Sequence, residues 1–108
     1  MGTYILIESR DPFESRDQFV SEMATALRQR GNEVTVFLVQ NAVLATRRNV
    51  HSSYLAQLVD SGVTLLADDF SLCERGILSA ELQSGIRPSS IEVLVSALIQ
   101  ENTKAIWH

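Results

Sequence analysis

The stretch LLADDFSLCERGI, residues 65–77, gathers several side chains that could do chemistry. Cys73, the only cysteine of the chain, follows Asp68 and Asp69 and precedes Arg75 and Gly76. A thiol in the first turns of a helix has its pKa lowered by the helix dipole, which favours the nucleophilic thiolate, and a neighbouring Arg75 adds to that effect. The carboxylates of Asp68, Asp69 and Glu74 act the other way, because they disfavour a further anion. Phe70, Cys73 and Ile77 also recur at the spacing of one helix face, and that face is apolar. A cysteine on such a stripe behaves as a small hydrophobe. On these local grounds a core role for Cys73 outweighs a nucleophilic one, and the nucleophile stays open.

The other candidates are weaker. Glu8, Asp11 and Glu14, with help from Asp68 or Asp69, could hold a divalent cation through oxygen ligands. Acids beside a proline turn and a helix start are favoured there by turn geometry and by the dipole in any case, so metal binding is the lesser reading. His51 sits in a polar stretch and His108 is the last residue; neither has a partner at metal-ligand spacing. One cysteine excludes an internal disulfide and a cysteine-rich metal site. No glycine-rich turn follows the first strand, so the phosphate-cradling and dinucleotide fingerprints are absent. Nucleotide binding is correspondingly the lesser reading.

Composition narrows the partners. A net charge of −4 argues against non-specific nucleic-acid binding, which needs a basic face to displace counterions. Arg47 and Arg48 form the one basic pair and read as a solvated loop rather than a phosphate site. No apolar run approaches the roughly 20 residues of a membrane span, and no basic-then-apolar leader opens the sequence. These features lead to the expectation of a soluble cytoplasmic protein. With 108 residues and 45% hydrophobic content, the chain is long enough for one domain, 1–108, with an ordinary core.

The elements that must position these residues follow from the pattern. TYILIES (3–9), EVTVFLV (33–39) and VTLLAD (63–68) are short apolar strands, the second apolar on both faces. Ser15 and Gln18 form a capping box before a helix over about 16–30, with Phe19, Val20, Met23, Ala24 and Leu27 at helical spacing and Gly31 as its stop. QNAVLATR begins a short helix, and SYLAQLVDSG carries an apolar stripe of Leu55, Leu58 and Val59 ending at Gly62. DFSLCERG is a short helix capped by Asp68 or Asp69. SGIRP holds a very short strand. Ser89 and Glu92 form a second capping box before the last helix, and KAIWH closes as an edge strand.

Strands alternating with helices predict an α/β fold, a small three-layer sandwich around a mostly parallel sheet of four or five strands. In such sheets sites lie outside the carboxyl ends of the strands, which here are ESRDPFES, QNAVLATR and DDFSLCERG. The last helix is apolar nearly all round, from Ile91 to Ile99, where a surface helix should show a polar side. Another subunit is expected to cover the extra apolar face.

Taken in order, YILIESRDPFESRDQFVSEMATALRQRGNEVTVFLVQNAVLATR, GVTLLADDFSLCERGI and SSIEVLVSALIQENTKAIWH resemble the DsrE/DsrF/DsrH-like family, which includes the Tus sulfur-relay subunits. The most specific parts are VFLVQNAVLA, Arg75-Gly76 after the third strand, and the closing helix with KAIWH. The resemblance implies a small α/β subunit of a homo- or hetero-oligomer of related chains. It also implies sulfur trafficking, in which a cysteine persulfide is passed between sulfur donor and acceptor proteins without metal or organic cofactor. In carrier members the relay cysteine stands at the end of the third strand, about two helical turns ahead of the Arg-Gly. That position is Asp68 here, as in the DsrH-like branch. The resemblance thus leaves Cys73 as the only persulfide carrier this chain could offer, with Arg75 as thiolate support. The alternatives are a non-catalytic structural or regulatory subunit, or a small-ligand or metal-binding module built on Glu8, Asp11, Asp68 and Asp69.

Overall fold

A computed structural model of the chain describes residues 2–11, 18–48 and 53–108. The elements run β1 (Thr3–Glu8), α1 (Phe19–Gln29), β2 (Glu33–Leu38), a 3-10 helix (Gln40–Thr46), α2 (Ser53–Asp60), β3 (Thr64–Asp68), α3 (Asp69–Glu74), a 3-10 turn (Ser79–Glu81), β4 (Ile86–Ser89), α4 (Ile91–Leu98) and β5 (Thr103–Trp107). The five strands form one sheet in the order β4-β3-β2-β1-β5, and every pairing is parallel. The expected three-layer α/β architecture is therefore present, with the larger of the two strand counts.

Alternation along the strands divides the core into two layers. Leu6, Val36, Leu38, Leu65 and Ala67 face one side, where they pack with Val20 and Ala24 of α1, Leu55 and Leu58 of α2, and Leu72 of α3. Ile5, Ile7, Phe37 and Val39 face the other side and meet Leu94 of α4, with Leu66 and Ala97 alongside. Among the described residues, one short helix thus covers the second face, while three helices and the 3-10 segment cover the first.

One helix start differs from expectation, and another lies partly outside the described residues. α1 begins at Phe19, with Gln18 as N-cap and no side-chain cap bond; Ser15 of the expected capping box lies outside the described residues, as do Glu14 and His51. The second capping box does not form. Ser89 is still in β4, paired with Asp68 across the ladder, so the N-cap falls on Ser90, whose side chain makes no cap bond.

The apolar outer face of α4 is open to solvent. Ile91, Val93, Val95, Leu98 and Ile99 are exposed, and only Leu94 of the helix is buried. No described helix is long and apolar enough to cross a membrane.

Candidate functional site

The carboxyl end of β3 turns directly into α3, and Asp68 makes the turn. As N-cap it accepts hydrogen bonds through Oδ2 from the Ser71 backbone N–H (3.1 Å) and the Ser71 hydroxyl (2.7 Å). The Ser71 Oγ in turn accepts from the Gln40 N–H at 2.9 Å. Gln40 holds a left-handed φ of 51° there, so the 3-10 helix and α3 are joined at a strained backbone position. Asp68 is 7% exposed. Its Oδ1 is sealed from solvent and has no hydrogen-bond partner among the described residues. One carboxylate oxygen is thus engaged in capping the helix, and the other is left without a partner.

The Arg-Gly pair has a conformational explanation. Gly76, at φ 67°, donates its N–H to the Cys73 carbonyl, and Ile77 donates to the Leu72 carbonyl. These are the two bonds of a Schellman stop, and its accompanying apolar contact falls on Leu72 and Ile77, both in the core. The helix therefore ends at Glu74. Ile77 never joins Phe70 and Cys73 on one helix face, because the chain has already turned through Gly76.

This early stop decides the status of Cys73. The buried positions of α3 are Ser71 and Leu72, and both Cys73 and Phe70 are exposed. The apolar-core role that the local pattern favoured is corrected accordingly. The nucleophile argument also changes, since Cys73 is the penultimate residue of a six-residue helix. It lies in the last turn of α3, and Asp69 sits four residues back on its side.

Arg75 is held by other groups. Its Nε and Nη2 donate to Asn41 Oδ1 at 3.3 and 3.0 Å, Nη1 donates to the Ser71 carbonyl at 3.3 Å, and Glu74 lies 3.7 Å from Nη1. The guanidinium staples the end of α3 to the 3-10 helix after β2.

A second corner, at the carboxyl ends of β1 and β5, escaped sequence reasoning. The ladder pairs Ile7 with Trp107, which brings Glu8 beside His108. The Glu8 Oε2 lies 2.7 Å from His108 Nδ1, and Oε1 accepts the Arg10 N–H at 3.0 Å. The side chains are 5% and 18% exposed. The imidazole stacks on Phe19 with centroids 4.9 Å apart. The His108 backbone is bonded on both sides, to the Ile7 carbonyl and from the Ser9 N–H. A carboxylate at Nδ1 fixes the ring's orientation and its tautomer. The only sequence signal was a Glu ending one strand and a His following another, and their separation of 100 positions conceals the pairing.

Among the described residues, Glu8 and Asp68 do not converge. Glu8 is engaged by His108 and Arg10, Asp68 by Ser71, and strand β2 lies between them. Two interstrand spacings put them roughly 9–10 Å apart. Among the described residues no group of three His, Cys, Asp or Glu side chains is placed to share an ion.

A model of the DsrE/DsrF-like family matches residues 1–106. The chain belongs to the DsrE/DsrF-like family. Three solved structures share its fold at low identity. The YchN protein of E. coli superposes with a TM-score of 0.84 at 21% identity, covering 100% of both chains. The MTH1491 protein of Methanobacterium thermoautotrophicum gives 0.80 at 21% identity, over 98% of this chain and 97% of that one. The BT1422 protein of Bacteroides thetaiotaomicron gives 0.80 at 14% identity, over 99% and 95%. No functionally curated protein matches the chain. At these identities the neighbours bear on the fold alone, and the chemistry has to be argued from this DsrE/DsrF-like chain's own residues.

Proposed function

We propose that this DsrE/DsrF-like chain is a subunit of a persulfide-relay assembly and that Cys73 is the thiol on which it accepts sulfur. The observation that carries this reading is the exposure of Cys73 at the carboxyl edge of the sheet, within the short helix that Asp68 and Gly76 fix at its two ends. In the accepting step the Cys73 thiolate attacks the outer sulfur of a donor persulfide. A new sulfur–sulfur bond forms at Sγ, the donor's sulfur–sulfur bond breaks, and the donor leaves as a thiolate. No metal or redox partner is required. Asp68 stands where carrier members place their cysteine, and its part is to cap the helix. Arg75 stiffens the same corner by joining the end of α3 to Asn41.

A second reading has its own support. Cys73 stands in the last turn of α3 rather than the first, flanked by Asp69 and Glu74, which suits a structural subunit whose partner supplies the thiol. Both readings place the chain in an oligomer with copies of itself or with related subunits, because the exposed apolar face of α4 needs cover.

Exposing the folded protein to a small-molecule persulfide separates them. The carrier reading expects intact mass to rise by one sulfur atom, with no rise in Cys73→Ser. A native thiol inert to both the persulfide and an alkylating probe contradicts it and leaves the structural subunit.

A further inference from the structure

The two edges of the sheet are finished differently. On the β4 edge, Ile86 donates its N–H to the Gln83 carbonyl, and Pro88 has no N–H. A proline inside a paired strand must turn its nitrogen away from the neighbour, so that edge presents no donor at residues 86 and 88. The β5 edge carries no such block. The Thr3 N–H bonds the Asn102 carbonyl, the His108 N–H bonds the Ile7 carbonyl, and the Ser9 N–H bonds the His108 carbonyl. Even-numbered residues of this segment therefore bond toward β1, and alternation turns the N–H and C=O of Thr103, Ala105 and Trp107 outward. Among the described residues no strand pairs with that side of β5.

The side chains leave this edge open as well. Lys104, a residue type that commonly guards edges, folds back with its Nζ 5.8 Å from the centroid of the Tyr4 ring. Ala105 and Trp107 are exposed, and they share the sheet face on which the exposed apolar residues of α4 lie.

We infer that β5 is a self-pairing edge: it joins β5 of a second copy antiparallel about a two-fold axis at Ala105, making one continuous ten-stranded sheet. The occupant is a second copy because the strand is complementary to itself in this register. Ala105 faces Ala105 and Thr103 faces Trp107 as hydrogen-bonded pairs, while Lys104 faces Ile106, so no like charges oppose each other. A two-fold axis normal to the sheet sets both α4 helices on the same side, where their apolar faces and Trp107 add burial that backbone bonds alone do not supply. This seam specifies the geometry of the assembly proposed above and does not depend on sulfur chemistry at Cys73.

Position 105 tests it, because that residue meets itself across the axis. Ala105→Glu and Ala105→Lys should each halve the wild-type mass in solution by sedimentation or light scattering, and mixing the two variants should restore it. Loading of sulfur on Cys73 is read separately and is not expected to follow these changes. In the wild type, hydrogen exchange should find the outward amides of Thr103, Ala105 and Trp107 protected, and dilution below the association range should release them. A monomeric wild type, variants that assemble as wild type, a mixture that fails to recover, or outward amides that exchange as free surface groups would overturn the inference.

Discussion

Two corners of the sheet each bury a carboxylate at the carboxyl end of a strand, and they satisfy it in opposite ways. Asp68 is met three residues on by Ser71. Glu8 is met by His108, 100 residues away. The first corner is a local device that shapes a helix and leaves a thiol exposed beside it. The second is a long-range clamp that holds the final strand, its terminal imidazole and the start of α1 together. Similar chemistry at a strand end thus serves local conformation in one case and tertiary closure in the other.

The comparison predicts unequal losses. Glu8→Ala removes the acceptor of both His108 Nδ1 and the Arg10 N–H, and should cost the most, roughly 2–3 kcal/mol by denaturant unfolding. Asp68→Ala removes the cap of α3 and should cost about 1–2 kcal/mol, while Asp68→Asn, which retains a capping oxygen, should lose far less. If Asp68→Ala proved costlier than Glu8→Ala, the assignment of local and long-range roles would be reversed. Cys73→Ser should stay within about 0.5 kcal/mol, as expected of an exposed position outside the core; a large loss would restore the core role that the structure denies it.

The same contrast explains what could be read from the sequence. The strands and the capped start of α3 were legible because each rests on a run of a few residues: apolar β-formers in 3–9, 33–39 and 63–68, and an acidic cap ahead of a helical stretch. The apolar face read for Cys73 fails because it depends on where α3 stops. The two bonds closed around Gly76 end the helix before Ile77 can continue the stripe. Glu8 and His108 were invisible as a pair because the register of β5 on β1 is a tertiary fact. The uncovered face of α4 was legible in its all-round apolar pattern, and its exposure in the isolated chain matches that reading.

The central claim is that chemistry at the β3 corner belongs to Cys73 and that Asp68 serves the fold. The most direct measurement is the site of sulfur loading in Asp68→Asn, read by mass spectrometry of the peptides after exposure of the folded variant to a persulfide. The account predicts one added sulfur atom on the peptide containing Cys73, as in the wild type. A folded Asp68→Asn protein that takes up no sulfur, beside a wild type that does, would contradict it and place Asp68 in the reaction itself.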